Sequence, residues 1–401
     1  MGAALSVEGD GCSVGGLSGL RKPGFQVIRS LLSPGTSCRN SLFSVRSQGI
    51  GIDMAASHLD SSDSDDLAFQ AEMLKGVART FALTIAQLPR NLHEAVGNAY
   101  LLCRIADTIE DEPALSLERK QAFSERFIEI VAGRDDPASF AGELGPLLSS
   151  STGSAAGRLV ANTPRVIGLT RRLNLAQRKA LHRCVGIMSR GMVEFQRSAS
   201  TEGLRDVAQL NRYCYHVAGV VGETLTALFC DHSEEIDKRR EDLLPLSVSF
   251  GQGLQMINIL KDLWEDRSRG VCWLPRDVFR RAGIDLRSLS PGMADPGFAE
   301  GLLELVAMTR DHLANGLRFI GNLPTRETGI RRSCLWPLAF AVLTLRRISR
   351  KPTFSSGREV TVSRRGIWAA ALLTSVLARS NLALNLLFKL FTWGLPKSSA
   401  A

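Results

Sequence analysis

Two short acidic runs, DTIED at 107–111 and DLWED at 262–266, stand inside stretches that are otherwise apolar and helical in pattern. A carboxylate in apolar surroundings is costly unless a cation or a hydrogen-bond donor compensates it. Residues three and four apart share a helix face, so Asp107, Glu110 and Asp111 should point together, as should Asp262 and Asp266. Each run extends backward as a polar ridge: Tyr100, Arg104, Asp107 and Asp111 on one side, Gln255, Asn258, Asp262 and Asp266 on the other. Two such ridges facing each other would line a cavity. Carboxylates in pairs suit Mg²⁺, which keeps waters and completes its shell with substrate phosphates. Arg104 near the first run, and Lys261, Arg267 and Arg269 around the second, offer cations to the same phosphates. The chemistry this expects is ionisation of an allylic diphosphate, with apolar walls keeping water from the carbocation.

The elements that must hold these ridges are helices. From Leu67 onward helical periodicity is punctuated by Pro89, Pro113, 133–137, 149–157, 198–203, Pro245, 270–275 and 283–297, and strand-like alternation is nearly absent. The reading is one all-α domain over 67–378, a bundle with a central cavity and no solenoid repeat. Residues 1–66 read as a disordered or mis-assigned extension. The first 53 are rich in Gly and Ser without a continuous apolar run, so no secretory signal is expected, and Met54 is a plausible start ahead of an acidic spacer at 60–66. A mitochondrial-type presequence, on Arg21, Lys22, Arg29, Arg39 and Arg46, is the alternative. At the other end, Ile367 to Ala378 reads as a last core helix, and 379–401 as an apolar tail whose Leu382 to Leu395 segment lies at a membrane interface. That segment is shorter than the ~20 apolar residues a spanning helix needs. The expected location is cytoplasmic, at the inner face of a membrane touched peripherally through this tail.

Composition narrows the partners. With 44% hydrophobic and 22% charged residues the chain is an ordinary globular protein, and its formal charge of +9 favours anionic partners. Only three Tyr are present and the basic residues are not interleaved with aromatics, so no nucleic-acid surface is expected. Eight cysteines form no C-x-x-C pair and no zinc array, which leaves them as small, reduced core residues.

Several segments, the two acidic runs among them, carry a resemblance. RTFALTIAQLP at 79–89, DTIED, RYCYHVAGVVGE at 212–223 and NILKDLWED followed by WLPRDVF at 273–279 occur in the order seen in the squalene and phytoene synthases, which the sequence resembles from about Leu67 to Gly366. The resemblance implies an isoprenoid-synthase-like bundle, monomeric, that joins two prenyl diphosphates head to head. It implies that Asp107, Glu110, Asp111, Asp262 and Asp266 hold Mg²⁺ and diphosphate, and that Arg79, Arg104 and Lys261 contact diphosphate. Phe81, Tyr100, Gln255 and Asn258 would line the prenyl channels, and Tyr213 would take part in proton transfer as the cyclopropyl intermediate forms. The most similar pattern is a bacterial-type squalene synthase, in which farnesyl diphosphate passes through presqualene diphosphate to squalene with hydride from NADPH. Arg364 and Arg365 match a basic pair that would bind the NADPH phosphates, although Val362 stands where that pattern commonly has Lys. The alternatives are a dehydrosqualene or phytoene synthase without the reductive step and, from another class, a noncatalytic helical protein at membranes.

Overall fold

The computed structural model describes residues 61–398, with no side-chain description for 61–64 or for Arg79 and Thr80. Residues 1–60, with Met54 as the expected start, the presequence alternative, Cys12 and Cys38, lie outside the described residues. Nineteen α-helices are present and no strand is found among the described residues, so the all-α expectation holds. In order they are α1 (Ser61–Val77), α2 (Arg79–Ile85), α3 (Arg90–Asp111), α4 (Leu117–Val131), α5 (Pro137–Leu144), α6 (Ser154–Ala161) and α7 (Thr163–Arg172). Next come α8 (Leu175–Arg197), α9 (Val207–Cys214), α10 (Val220–His232), α11 (Glu234–Asp237), α12 (Arg240–Lys261), α13 (Leu263–Ser268) and α14 (Arg276–Arg281). The chain closes with α15 (Pro296–Asn322), α16 (Thr328–Arg350), α17 (Gly357–Val360), α18 (Arg364–Leu377) and α19 (Asn381–Phe391).

Local chemistry explains many of the boundaries. Asn174 and Gln177 form a reciprocal capping box at the start of α8, and Asp136 and Asp295 cap α5 and α15, each followed by Pro at the first helical position. Two sequence expectations need correction. The acidic stretch read as a spacer supplies the first turns of α1, because Asp65 and Asp66 are bound by Arg165 at 2.9 and 3.0 Å. Pro245, expected to break the chain, sits inside α12, which continues through it.

The centre of the bundle is α12, packed between α10 and α15, with α3, α8 and α16 completing the wall. Alone among the described helices it is long and apolar enough to cross a membrane, yet 61% of that window is buried, which makes it the core helix. The approach of α10 to α12 depends on glycine. A Cβ on Gly222 would lie 2.2 Å from the Ser247 carbonyl oxygen, and one on Gly251 would lie 2.3 Å from that of Ala218. Between α9 and α10 the chain makes a π-helical turn, Tyr215–Gly219, of the kind that re-aims side chains near functional sites.

Arg331 of α16 locks the last helices onto this core. Its guanidinium is fully buried and donates to the carbonyls of Ile320 and Leu323 (2.6 and 2.7 Å), of Ala378 (2.6 Å), and to Asn381 Oδ1 (2.6 Å). Replacing it should orphan several buried acceptors together, so Arg331→Met is expected to cost about 3–5 kcal/mol, and Arg331→Lys most of that, since an ammonium cannot reach four acceptors in a plane. Denaturant melts of the three proteins check this. Gly251→Ala should likewise cost a few kcal/mol, because the α12 backbone must retreat from the π turn that leads into α10, and a melt with unchanged midpoint would contradict the close crossing.

Candidate functional site

Between α2, α3, α10, α12 and α16 lies a cavity with about 1030 Å³ of empty space, part of it open to solvent. Its wall is almost wholly apolar: Val96, Ala99, Tyr100 and Cys103 from α3, Phe250, Gly251 and Leu254 from α12, Val221 and Leu225 from α10, with Phe81 from α2. The rings of Phe81 and Tyr100 meet at a tilt of 47° with centroids 5.3 Å apart, and the Tyr100 hydroxyl donates to the Val77 carbonyl at 3.1 Å.

Both ridge helices change character along their length in the same sense. On α3 the cavity wall ends at Cys103, and the buried Arg104 and Asp107 follow, then Glu110 and Asp111. On α12 the wall ends at Leu254, and the buried Gln255, Asn258 and Lys261 follow, then Asp262 and, in α13, Glu265 and Asp266. From Val96 to Asp111 is fifteen steps at 1.5 Å, roughly 22 Å, of which the first half faces hydrocarbon-like space and the second half carries charge. The structure thus places the predicted residues of both ridges on adjoining walls. The side chain of Arg79, which opens α2, lies outside the described residues.

The second ridge is not one continuous helix. Asp262 leaves helical geometry at φ −92°, ψ 13°, and the chain restarts as α13. Main-chain bonds bridge the break, from Asp262 N to Asn258 O at 2.7 Å and from Asp266 N to Asp262 O at 2.8 Å, so the two acids stay neighbours. Arg267 is a correction: it faces away from the acids and donates to the carbonyls of Leu286 (2.7 Å) and Arg287 (3.2 Å), fastening the 283–297 loop. Arg269 does pair with Asp266.

Cations answer the carboxylates only in part. Arg104 Nη1 stands 3.6 Å from Asp107 Oδ2, and Lys261 Nζ 2.7 Å from Asp262 Oδ1. Gln196 Nε2 donates to Glu110 Oε1 at 2.9 Å. Glu110 Oε2, Asp262 Oδ2 and Glu265 Oε2 are buried with no hydrogen-bond partner, and so is Arg104 Nε. Burial, with Asp111 and Asp107 adding repulsion, pushes the Glu110 carboxyl well above the ordinary range. Burial pushes Asp266 up to about 8 despite Arg269. Two residues on, Glu112 shows the opposite state. It is buried, yet accepts from Thr152 Oγ1 and from the amides of Ala114 (2.9 Å) and Ser149 (3.0 Å). Burial raises its pKa, but these donors outweigh it and the net shift is downward. Glu112 is a fastener, whereas Glu110 keeps one carboxylate oxygen buried and without a hydrogen-bond partner.

No group of three or more His, Cys, Asp or Glu among the described residues is gathered closely enough to enclose a metal by itself. A Mg²⁺ ion shared with a phosphate needs only one or two carboxylates and leaves its remaining positions to water and substrate. The orphaned oxygens of Glu110, Asp262 and Glu265 are the observation that fits such an ion.

Tyr213 stands between the two clusters. It is buried, and burial first, then the charges of Glu110, Asp266 and Asp111, hold its phenol well above its ordinary pKa. Its ring stacks on Trp273 at 4.2 Å and meets Phe195 edge-on at 5.1 Å. The stack is set by a short splice of chain: Cys272 N donates to Ser200 O and Leu204 N to Leu274 O, both at 2.9 Å. Trp273, with an unpartnered buried Nε1, and Glu265 are site residues that the ridge spacing missed. Glu265 was visible in DLWED, but it falls off the i, i+4 ridge; Trp273 is brought in by tertiary folding alone. Arg364 and Arg365 are exposed in the first turn of α18, behind Ser363 as cap, and Val362 beside them is buried against Phe340 in a cluster that also takes in Phe81.

Because Asp266 has a folded pKa of about 8 against the usual 3.8, the folded, ligand-free protein holds a proton that the unfolded chain releases. That contribution is full below about pH 4 and is lost as pH rises through about 8. Asp266→Asn should therefore flatten the fall in stability between about pH 5 and 8 and leave the variant more stable than the parent at pH 8. Melts with chelator across that range check it, and a variant less stable than the parent at pH 8 would contradict the reading of an uncompensated acid.

The sequence pattern of the squalene/phytoene synthase family matches residues 74–366. Botryococcus squalene synthase from Botryococcus braunii is 28% identical over 307 residues, covering 75% of this chain and 61% of that protein. The squalene synthase of Schizosaccharomyces pombe is 26% identical over 70% of this chain and 59% of that protein. The chain thus spans about three fifths of the length of these curated relatives. Among solved structures, the complex of TcSQS with the ligand BPH1237 aligns with a TM-score of 0.67 at 24% identity, covering 84% of this chain and 94% of that one.

Proposed function

Since the chain belongs to the squalene/phytoene synthase family, we propose that it condenses two farnesyl diphosphates head to head through presqualene diphosphate to squalene, with NADPH as reductant. The observation that carries the reading is the shared polarity of α3 and α12, apolar cavity wall first and buried carboxylates after, which matches a substrate with a hydrocarbon tail and a charged head. Prenyl chains occupy the cavity along Phe81, Tyr100, Val221 and Leu254. Gln255 and Asn258, bonded to each other at 3.2 Å, sit where tail meets head. Arg104, with its spare Nε, and Lys261 contact diphosphate, together with Arg79.

Mg²⁺ would be held by Asp107, Glu110 and Asp111 on one side and by Asp262 and Asp266, joined by Glu265, on the other; when bound, it neutralises diphosphate and makes it a better leaving group. The apolar wall excludes water from the cation left behind. The aromatic faces of Tyr213, Trp273 and Phe195 favour positive charge nearby. The raised pKa of Tyr213 means that it acts in its neutral form, donating a hydrogen bond, so the proton lost on cyclopropane closure passes to a stronger base, for which departing diphosphate is the group at hand. Arg364 and Arg365 offer the NADPH phosphates two exposed guanidinium groups at a helix start.

One observation favours the second reading, a dehydrosqualene or phytoene synthase. Val362, where the squalene synthase pattern commonly has Lys, is buried in an apolar cluster and offers no phosphate contact. Incubating the protein with farnesyl diphosphate and Mg²⁺, with and without NADPH, and identifying the hydrocarbon separates the two: squalene is expected only with NADPH, and an identical product in both tubes overturns the reductive step. Asp107→Ala and Asp262→Ala are each expected to lower turnover by at least about 10³-fold while the fold persists, and retained activity in either would remove that carboxylate from the site. For the noncatalytic alternative the discriminating result is the absence of any rise in melting temperature with Mg²⁺ and a diphosphate analogue.

A further inference from the structure

Ten large hydrophobic side chains are exposed among the described residues, and eight of them fall between Trp368 and Trp393. Such concentration on a globular protein marks a docking surface. On α18 the exposed positions are Trp368, Leu372 and Val376, and on α19 they are Leu382, Leu386 and Leu390, each series in steps of four that keep it to one side of its helix. The core helix expected at Ile367 to Ala378 is therefore only half inside: Ile367, Ala371 and Thr374 are its buried residues, while Leu372 and Val376 are 68% and 72% exposed.

This surface is held rigidly. Arg331 fixes the turn between the two helices through Ala378 O and Asn381 Oδ1, and Arg346 Nη1 donates to Phe391 O at 2.8 Å, pinning the far end of α19. Beneath lies a second apolar cleft of about 460 Å³ between α16, α18 and α19, lined by Leu338, Val342, Leu373, Leu387, Phe388 and Phe391. Leu373 belongs both to the cleft and to the exposed set, so the cleft meets that face.

Charge identifies the occupant. After Glu359 the sequence contains no acidic residue, and Arg379, Lys389 and Lys397 are exposed at the ends and edge of the two helices. Trp393, 79% exposed, has the amphipathic ring that settles at a headgroup boundary. With 11 residues α19 is roughly 16 Å long, about half of a hydrocarbon core, so it lies in the plane of a bilayer instead of crossing it. We propose that the α18–α19 face docks on an anionic lipid bilayer, with Arg379, Lys389 and Lys397 on the headgroups and the cleft taking up an acyl chain. This rests on the surface alone, and stands or falls separately from the reaction proposed above.

The test is co-sedimentation of the full chain with vesicles of phosphatidylcholine and of phosphatidylcholine mixed with phosphatidylglycerol. Binding is expected to the mixed vesicles, weakening with salt, and Leu372→Glu/Leu386→Glu should reduce it by roughly tenfold or more. Because both positions are exposed, the double variant should melt with the parent, which distinguishes lost docking from misfolding. Lipids brominated near the headgroup should quench Trp fluorescence in the parent, and less in Trp393→Phe. Absence of binding to either vesicle, or binding that the double variant retains, overturns the proposal. So does a parent that is dimeric by light scattering, becomes monomeric in the double variant and ignores vesicles, which would assign the face to a second copy of the chain.

Discussion

Everything near the site follows from the cost of keeping carboxylates out of water. A buried acid must be protonated, paired or offered a ligand, and the two clusters meet this cost under different helix fields. Glu110 and Asp111 are the last residues of α3, where the helix dipole is negative and adds to their mutual repulsion. Asp262, Glu265 and Asp266 lie at the start of α13, where the dipole is favourable. Lys261 and Arg269 stand beside the second cluster, and Arg104 and Lys120 beside the first. The clusters therefore differ in helix field and not in the number of cations beside them. The break at Asp262 has a physical purpose on this view: a continuous α12 would have left its acids in mid-helix, without the exposed amides of a helix start.

Holding two unlike halves of one site together requires close, inflexible packing. The Gly222 and Gly251 contacts bring α10 against α12 backbone to backbone, which fixes the spacing between two cavity walls to within the tolerance of a methyl group. The π turn at Tyr215–Gly219 adjusts direction instead of distance. Before it, Tyr213 faces the acids; Ala218 within it and Val221, Gly222 and Leu225 after it line the cavity. A regular helix through this stretch would turn one of those two sets away.

How much of this the sequence disclosed depended on the range of each interaction. The ridges were legible because they are local, fixed by the i, i+3 and i, i+4 spacing of Tyr100 to Asp111 and of Gln255 to Asp266. The helical class was legible for the same reason. Long-range facts were not. Arg267 is indistinguishable in sequence from Arg269, yet one fastens a loop and the other pairs with Asp266, because their side chains leave α13 in different directions. Trp273 reaches Tyr213 only through the pairing of 200–204 with 272–276. The apolar character of 367–378 was plain, but which of its sides would be covered was settled by α16 and Arg331, and nothing in the segment itself records them.

The bundle contains a control for the claim that unsatisfied charge marks function. Arg331 is as deeply buried as any charged group in the protein, and it has no carboxylate. It lies where α15 and α18 end, and their terminal carbonyls, carrying the negative ends of two helix dipoles, take up its donors together with Asn381. Glu112 is satisfied in the converse way, by amides and a hydroxyl. Both show that this fold can bury a lone charge and complete its hydrogen bonding with neutral groups. Buried nitrogens without a partner also occur on Arg276, Arg310 and Arg332, so an open donor is no mark of the site, but the carboxylate oxygens left open on Glu110, Asp262 and Glu265 all belong to the two acidic clusters. They lie where α3 and α12 turn from apolar to acidic, and that placement sets them apart from the charge that Arg331 and Glu112 spend on the fold.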